Sequence, residues 1–167
     1  MSYTNKTYVA FDADNDMRYY RLMQARKHND NTSFDFYDAH DLNNLMSRAS
    51  EETIKWKLNE RLNNTKVFIL LVWEKTKYLY KFVRWEIEQA IKKEIPIIIV
   101  NLNWSRFIDN INCPALAKDN LSVHVSFNLK IIEYAIKNRP NSNSYYKKEW
   151  NHWSYYYLDS VYQELWL

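Results

Sequence analysis

The chain has 167 residues, of which 47% are hydrophobic, and a formal net charge of +3, which is typical of one globular domain and argues against a disordered chain. The absence of glycine excludes every site built on a glycine-rich loop, including the dinucleotide-binding loop, the P-loop, the hydrolase nucleophile elbow and the EF-hand. The single cysteine, Cys113, excludes a disulfide framework and a thiolate metal cluster.

The first half of the chain is predicted to begin with a strand at 6–11, which is followed by closely spaced aspartates. A helix is expected over 17–27, and aspartate is a favoured residue at such a helix start. Residues 33–37 alternate weakly and predict a second strand, after which 38–44 form a polar loop. The amphipathic pattern of 50–62 predicts a helix with Ser50 as its N-cap.

The middle of the chain is predicted to form one β-α-β unit. Its two short apolar runs, 67–72 and 95–100, are typical of strands buried on both faces of a parallel sheet. The stretch 78–93 between them is long enough for the crossover helix. At about 100° per residue, Glu86 lies at the edge of the apolar face of this helix, whereas Glu88 points to the far side.

Glu86 is therefore the acid of this helix that leans towards the core, and its role has two interpretations. The first is an ordinary surface glutamate that pairs with Arg84 or Lys93. The second is a functional acid near the carboxyl ends of the strands, where open α/β folds bind their ligands. The helix by itself leaves both interpretations open.

The last third of the chain begins with an irregular segment, 103–119, in which a short helix is expected before the Cys-Pro pair. A fifth strand is predicted at 121–126 and a helix at 128–138. The polar segment 139–144 is typical of a linker. Aromatic and aliphatic residues recur at helical spacing from 150 to 165, so we expect a C-terminal helix that packs back on the domain or forms a dimer surface.

Strands alternate with helices five times, which predicts a doubly wound α/β fold of the flavodoxin type, with a five-stranded parallel sheet and an extra C-terminal helix. We assign 1–138 to the α/β domain and 139–167 to the linker and the helix that packs on it. The functional site is expected at the carboxyl ends of the strands, in 11–16, 38–41 and 73–77 and at the start of the third helix. Without glycine, the helix ends are expected to use asparagine, at Asn29, Asn63, Asn64 and Asn138.

Several other chemistries lack the residues they need. The pair Asp12 and Asp14 after a strand is typical of haloacid-dehalogenase phosphotransferases, but the later strands end in Trp73-Glu74 and Asn101 and do not supply the partners. A receiver domain needs a phosphoacceptor aspartate after strand three and a lysine after strand five, and the endings Trp73-Glu74 and Ser126-Phe127 supply neither. The four histidines are too dispersed for a ligand pattern, so no metal site is expected. The basic residues are scattered among acids, so nucleic acid is not an expected partner.

The segment Phe82-Val-Arg-Trp-Glu-Ile87 follows an apolar strand and a short loop, and it resembles the third helix of TIR domains. That family has an aromatic residue, a small or apolar residue, two variable positions, then glutamate and an aliphatic residue. Tyr8-Val-Ala-Phe11 is similar to the first TIR strand, and Phe36-Tyr-Asp38 followed by Leu42 is similar to the segment that opens the loop after the second strand. Within the family the chain is most similar to the TIR-like subunit (ThsB type) of bacterial Thoeris anti-phage systems, over about residues 6 to 138.

Enzymatic TIR domains cleave the bond between nicotinamide and ribose in NAD, and the resemblance implies an NAD glycohydrolase or ADP-ribosyl cyclase that takes NAD as its substrate and needs no cofactor. Glu86 takes the place of the family's catalytic glutamate. Aromatic side chains are expected to border the nicotinamide. Polar side chains are expected to contact ribose or phosphate, although each of these polar residues is explained equally well as a helix cap or a loop residue. These candidates are Phe11, Trp73 and Phe82 among the aromatic residues, and Asp12, Asp38, His40 and Lys77 among the polar ones.

The resemblance also implies the partners. In Thoeris members the product closes into a cyclic ADP-ribose-type signal, which activates a partner NADase effector in anti-phage defence. A phage-derived activator and a homo-oligomer are further expected partners. The sequence has no apolar stretch of about 18 residues, so a cytoplasmic protein without membrane contact is expected.

Two rival functions stay open. A catalytically silent TIR adaptor would use the same fold as a protein-binding surface, and its biological output would survive Glu86→Gln. A nucleic-acid binder would exploit the lysine and aromatic content, and its affinity for single strands would fall steeply with salt.

Overall fold

The computed structural model describes residues 6–29, 35–36, 49–79 and 81–167. In this part of the chain, parallel strands form one six-stranded sheet in the order β2-β1-β3-β4-β5-β6. The strands are β1 Lys6–Ala10, β2 Asp35–Phe36, β3 Val67–Val72, β4 Ile97–Asn101, β5 Ser122–Ser126 and β6 Tyr155–Tyr156. The helices are α1 Met17–Asn29, α2 Glu51–Asn63, α3 Phe82–Lys92, α4 Ala115–Lys118, α5 Leu129–Lys148 and α6 Asp159–Glu164, with a 3₁₀ turn at Thr76–Tyr78.

The predicted fold class, a doubly wound parallel α/β sheet of the flavodoxin type, is confirmed. The first strands follow the order 2-1-3-4-5, so the direction of winding reverses at β1 and β3, which is where such sheets place their ligands. The short strand β6 extends the sheet beyond the predicted five strands.

The sheet has a hydrophobic core on each face because successive strand residues point to opposite sides. In β1, Val9 and the adjoining Phe11 face the core covered by α1, α5 and α6, whereas Tyr8 and Ala10 face the core covered by α2, α3 and α4. All residues of β3 are buried, as expected for a central strand covered on both faces.

The predicted β-α-β unit is confirmed. Strand β3 has the predicted bounds, and the helix begins at Phe82 after the 3₁₀ turn. The predicted cap of α2 is also confirmed, because the Ser50 hydroxyl accepts a hydrogen bond from the Thr53 amide at 3.2 Å.

The prediction of a linker at 139–144 is wrong. Helix α5 continues through this segment, including Pro140, and ends at Lys148. The reason lies in Arg139, which is fully buried. Its guanidinium donates hydrogen bonds to the carbonyl oxygens of Ile97 (3.2 Å) and Leu121 (3.1 Å), at the amino ends of β4 and β5. These tertiary contacts outweigh the poor helix propensity of the Asn, Ser and Pro residues around it.

The predicted helix over 150–165 is also wrong. Residues 155–156 instead pair with β5, and only Asp159–Glu164 are helical. Tyr162 of this short helix is fully buried in the core cluster that also holds Val123 and Val125 of β5. The short helix expected before Cys113 is absent from its predicted place, because the helix forms after Pro114, whose fixed φ suits a helix start.

Asparagine ends two helices as predicted, because α1 ends at Asn29 and α2 ends at Asn63 with Asn64 as its C-cap. None of the predicted asparagines, however, is among the described residues that have a positive φ. Asn64 has φ −101° and Asn138 lies inside α5. Positive φ angles are found instead at Glu94 (56°), Trp104 (65°), Trp150 (57°) and Trp166 (58°). Three of these residues end helices α3, α5 and α6, where paired backbone hydrogen bonds such as Glu94 N to Ile91 O and Ile95 N to Ala90 O hold the turn closed.

Candidate functional site

A buried hydrogen bond joins strand β1 to helix α3. The Tyr8 hydroxyl donates to Glu86 Oε1, and both side chains are buried. The predicted orientation of Glu86 is confirmed, since Glu86 lies on the buried side of α3 with 8% exposure, whereas Glu88 is exposed and pairs with Arg84 at 3.0 Å. The Tyr8 ring stacks on Phe68 of β3 at 5.6 Å, which fixes the direction of its hydroxyl.

The surroundings of Glu86 favour its neutral form. Burial raises the pKa of Glu86 to about 7, although the hydrogen bond from Tyr8 acts in the opposite direction because it stabilises the carboxylate. Burial and the neighbouring Glu86 raise the pKa of Tyr8 well above its ordinary value, so the tyrosine keeps its proton and remains the donor. The carboxyl group of Glu86 therefore titrates near neutral pH, as expected of a functional acid.

A cleft of about 330 Å³ lies at the carboxyl ends of β1 and β3, where the winding of the sheet reverses. Its lining combines acids, bases and one aromatic side chain, and comprises Asp12, Asn15, Asp16, Arg18, Trp73, Glu74 and Lys75. The position is the one that open α/β sheets use for ligands. The volume lies at the lower end of the range for small-molecule sites.

The floor of this cleft is formed by the turn between β1 and α1. Asp12 Oδ1 accepts a hydrogen bond from the Asp14 amide at 3.1 Å, and Asp12 Oδ2 accepts one from Asn15 Nδ2 at 2.7 Å, so the carboxylate of Asp12 shapes the turn. Asp16 is 2% exposed, and its Oδ2 has no hydrogen-bond partner among the described residues. Burial, and secondarily the nearby Asp12, raise the pKa of Asp16 to about 6.

The structure places the predicted binding residues in different surroundings. Asp12 and Trp73 line the cleft together. Phe11 lies in the core, stacked on Tyr20 at 4.8 Å. Lys77 donates to the Ile111 carbonyl at 2.9 Å. Phe82 is half-buried against the core cluster on the α3 side of the sheet. The predicted contacts Asp38 and His40 lie outside the described residues.

Sequence reasoning did not single out five of the residues that line the cleft, namely Asn15, Asp16, Arg18, Glu74 and Lys75. The burial that gives Asp16 a raised pKa has no signature in the sequence. The signal in the sequence is position, because Asn15, Asp16, Glu74 and Lys75 lie in the segments 11–16 and 73–77 where the site is expected, and Arg18 lies in the first turn of α1. Glu86 is not among the residues that line the cleft.

The residues in the described ranges also bear on metal binding and on membrane contact. No three His, Cys, Asp or Glu side chains there are grouped closely enough to hold a metal ion. His124 is fully buried, its Nδ1 lies 3.4 Å from both the Asp109 amide nitrogen and Asn101 Oδ1, and burial lowers its pKa to about 4. No helix in the described part of the chain has the length and apolar character needed to cross a membrane.

A family model described as "Thoeris protein ThsB, TIR-like domain" matches residues 8–106, which is more than half of the chain. The matched region includes Tyr8, the cleft at the ends of β1 and β3, and Glu86.

Proposed function

Because the chain belongs to the family of TIR-like domains of the Thoeris protein ThsB, we propose that it consumes NAD by cleaving the bond between nicotinamide and ribose, with Glu86 as the catalytic carboxylate. The observation that carries the proposal is the buried carboxyl group of Glu86, which accepts a hydrogen bond from Tyr8 and titrates near neutral pH. A buried acid on a helix face that is otherwise apolar is costly for folding, and such a cost is typical of functional sites.

The chemistry suits a single carboxylate. The leaving group of NAD is already a pyridinium, so its departure as neutral nicotinamide needs no strong acid. The ribose left behind develops oxocarbenium character, and an ionised carboxylate stabilises that positive charge. In the proposed reaction Glu86 supplies this charge, and its buried surroundings strengthen the attraction because water does not screen it.

Tyr8 and Glu86 act together in this proposal. A pKa of about 7 leaves a large part of Glu86 ionised at neutral pH. The hydrogen bond from Tyr8 favours that ionised form and holds one carboxylate oxygen in place, which leaves Oε2 for the substrate. Tyr8 is thus a positioning residue in the proposed site.

The cleft at the ends of β1 and β3 supports the proposal because its lining offers a group for each part of a dinucleotide. Trp73 provides an aromatic face on which a base or nicotinamide stacks. Asp12 and Asp16 provide acceptors for ribose hydroxyls, and Arg18 and Lys75 provide cations for the pyrophosphate.

The product we propose is a cyclic ADP-ribose-type signal that activates a partner NADase effector in anti-phage defence. Cyclisation competes with attack by water on the cationic ribose, so it requires a site that excludes water. The buried position of Glu86 is consistent with such a site.

One observation favours a second function, a TIR adaptor that acts by binding proteins. Glu86 is buried against Tyr8 and does not line the cleft, so in this conformation the proposed catalytic carboxylate is separated from the residues proposed to bind substrate. Catalysis then requires that the substrate, a partner or an activator brings the two together, whereas an adaptor requires no such change.

The experiment that separates the two functions is incubation of the purified full chain with NAD, with and without extract of phage-infected cells, and identification of the products by mass spectrometry. The enzyme is expected to release nicotinamide and an isomer of cyclic ADP-ribose. Glu86→Gln keeps the shape and removes the charge, so turnover is expected to fall by a factor on the order of 100 to 1,000. Glu88→Gln, on the exposed side of the same helix, serves as the matched control and is expected to retain activity.

A different result is expected if the chain is an adaptor and not an enzyme. If NAD is unchanged under both conditions while circular dichroism shows folded protein, and if Glu86→Gln leaves phage defence intact in cells, the chain is an adaptor.

A further inference from the structure

A second cavity, of about 310 Å³, lies at the opposite end of the sheet, at the amino ends of β4 and β5. Ile91, Ile95, Ile97 and Leu121 form apolar walls around it. Ile91 belongs to α3 and Ile97 to β4, whereas Ile95 and Leu121 lie in the loops that lead into β4 and β5. An aliphatic slot of this kind accepts a flat apolar ring.

One wall of this cavity carries the amide of Asn143, a largely buried residue. Asn143 of α5 is 6% exposed and lines the cavity, and its amide atoms are not among the described polar atoms that are both buried and unpaired. As a side-chain amide, Asn143 presents a donor and an acceptor to whatever occupies the cavity.

Asn120 adds a second polar group to the lining. Its Nδ2 donates to the Leu116 carbonyl at 2.8 Å, which orients the amide and leaves its Oδ1 as an acceptor. The two amides give the slot a pattern of donors and acceptors of the kind found along the edge of a heterocyclic base.

The mouth of the cavity is bordered by the indole of Trp150, which is 82% exposed. Its backbone adopts a left-handed conformation directly after α5, where Trp150 N donates to the Lys147 carbonyl and Asn151 N to the Tyr146 carbonyl. A large aromatic side chain exposed to water beside an apolar slot offers a stacking face.

One positive and one negative side chain at the mouth of the cavity neutralise each other. Lys147 forms an ion pair with Glu94 at 3.4 Å, and both residues line the cavity. The paired lysine offers little attraction to a phosphate, and Glu94 repels one. An uncharged occupant is therefore favoured over a nucleotide.

From these observations we infer that this cavity is a binding site for an uncharged nucleobase or nucleoside. The ring enters the aliphatic slot, its hydrogen-bonding edge meets the amides of Asn143 and Asn120, and the indole of Trp150 covers its outer face. The site is separate from the cleft at the carboxyl ends of β1 and β3, and the inference does not depend on the proposed NAD chemistry.

The test is titration of the full chain with adenosine and uridine, followed by calorimetry and by the indole N–H signals in ¹H–¹⁵N spectra. A ligand of this size that fits the slot is expected to bind at least one of the two nucleosides with a Kd on the order of 0.1 to 1 mM. AMP is expected to bind no more tightly than adenosine because of Glu94.

Two variants address the site directly. Trp150→Ala removes the stacking face, and Asn143→Leu keeps the volume, improves helix propensity and removes the hydrogen-bonding groups. Each is expected to weaken nucleoside binding by about tenfold or more. The matched control is Trp166→Ala, because Trp166 is also exposed and left-handed at a helix end but does not line the cavity, and this variant is expected to keep wild-type affinity.

The inference fails if neither nucleoside binds at millimolar concentration while the spectra show folded protein. It fails equally if Trp73→Ala abolishes binding and the Trp150 and Asn143 variants do not, because the nucleoside then occupies the cleft at the other end of the sheet. A concentration-dependent dimer that Trp150→Ala dissolves, without nucleoside binding, would assign the slot to a second copy of the chain instead.

Discussion

Tyr8 of the first strand donates a hydrogen bond to Glu86 of helix α3, 78 residues away in the sequence. The bond connects two elements that the family match includes, and it places a carboxyl group among apolar residues. Its consequences for pH dependence can be measured even before the reaction is known.

Replacing Tyr8 by phenylalanine removes the donor that stabilises the ionised form of Glu86. The pKa of Glu86 is therefore expected to rise further, by about one unit, since a hydrogen bond to a charged group contributes about 1.5 kcal/mol or more. In the proposed enzyme, the pH at which NAD turnover reaches half its maximum is expected to move upward by the same amount. Tyr20→Phe is the control, because Tyr20 is buried on the other face of the sheet and its hydroxyl accepts a bond from Gln24. An unchanged profile for Tyr8→Phe would contradict the role of this bond.

Glu86 is expected to make the stability of the fold depend on pH. Its pKa is raised from 4.5 to about 7, so the folded state binds the proton more tightly than the unfolded state. Stability is therefore fully present below about pH 4.5 and is lost as the pH rises towards and through 7, by up to about 3 kcal/mol. Glu86→Gln is expected to remove this loss and to stabilise the protein at pH 8 more than at pH 5. Urea unfolding at both pH values measures it, with Glu88→Gln as the exposed control, which is expected to show no such difference.

Asp16 is expected to behave similarly at the cleft. Its pKa is raised from 3.8 to about 6, first by burial and then by Asp12. The fold is thus expected to lose stability between about pH 4 and pH 6, and Asp16→Asn is expected to stabilise the protein at pH 8 by about 1 to 3 kcal/mol. The exposed Asp14 in the same turn supplies the control, Asp14→Asn. Equal pH dependence of unfolding for wild type and Asp16→Asn would show that Asp16 is not held in a raised-pKa environment.

Substitutions at Glu94 measure how much stability the protein loses by having a residue other than glycine in a left-handed conformation. The φ of 56° at Glu94 places a side chain in the left-handed region at the end of α3. Glu94→Gly relieves that conformation, whereas Glu94→Ala removes the same ion pair with Lys147 and keeps the strain. The glycine variant is expected to be more stable than the alanine variant by about 1 kcal/mol. Thermal unfolding of the two variants side by side measures the difference, and equal stabilities would mean that this position carries no strain.

Arg139 is expected to be essential for the second half of α5. Arg139→Met preserves most of the length of the side chain but leaves the Ile97 and Leu121 carbonyls without these donors, with an expected loss of about 2 to 4 kcal/mol. Lys137→Met, at an exposed position of the same helix, is expected to change stability by less than about 0.5 kcal/mol. Denaturant unfolding measures the free energy of unfolding of both variants. A small loss of stability in both would show that the hydrogen bonds of Arg139 are not what keeps the second half of α5 helical.

The sequence by itself determined the fold class, the bounds of β3 and the orientation of Glu86. These features follow from local patterns, because a short apolar run predicts a strand buried on both faces and a helical period assigns each residue to one side of its helix. The family resemblance rested on the same stretch, and the family match includes it.

Only the tertiary structure decided the rest. Residues 139–148 are helical because a buried arginine reaches the ends of two strands, and residues 155–156 form a strand because the edge of β5 offers them hydrogen bonds. The raised pKa values of Glu86 and Asp16 depend on burial, which is a property of neighbours distant in the sequence. Local propensity is weak compared with such contacts, so a polar segment that resembles a linker became part of a helix once the fold supplied partners for its arginine.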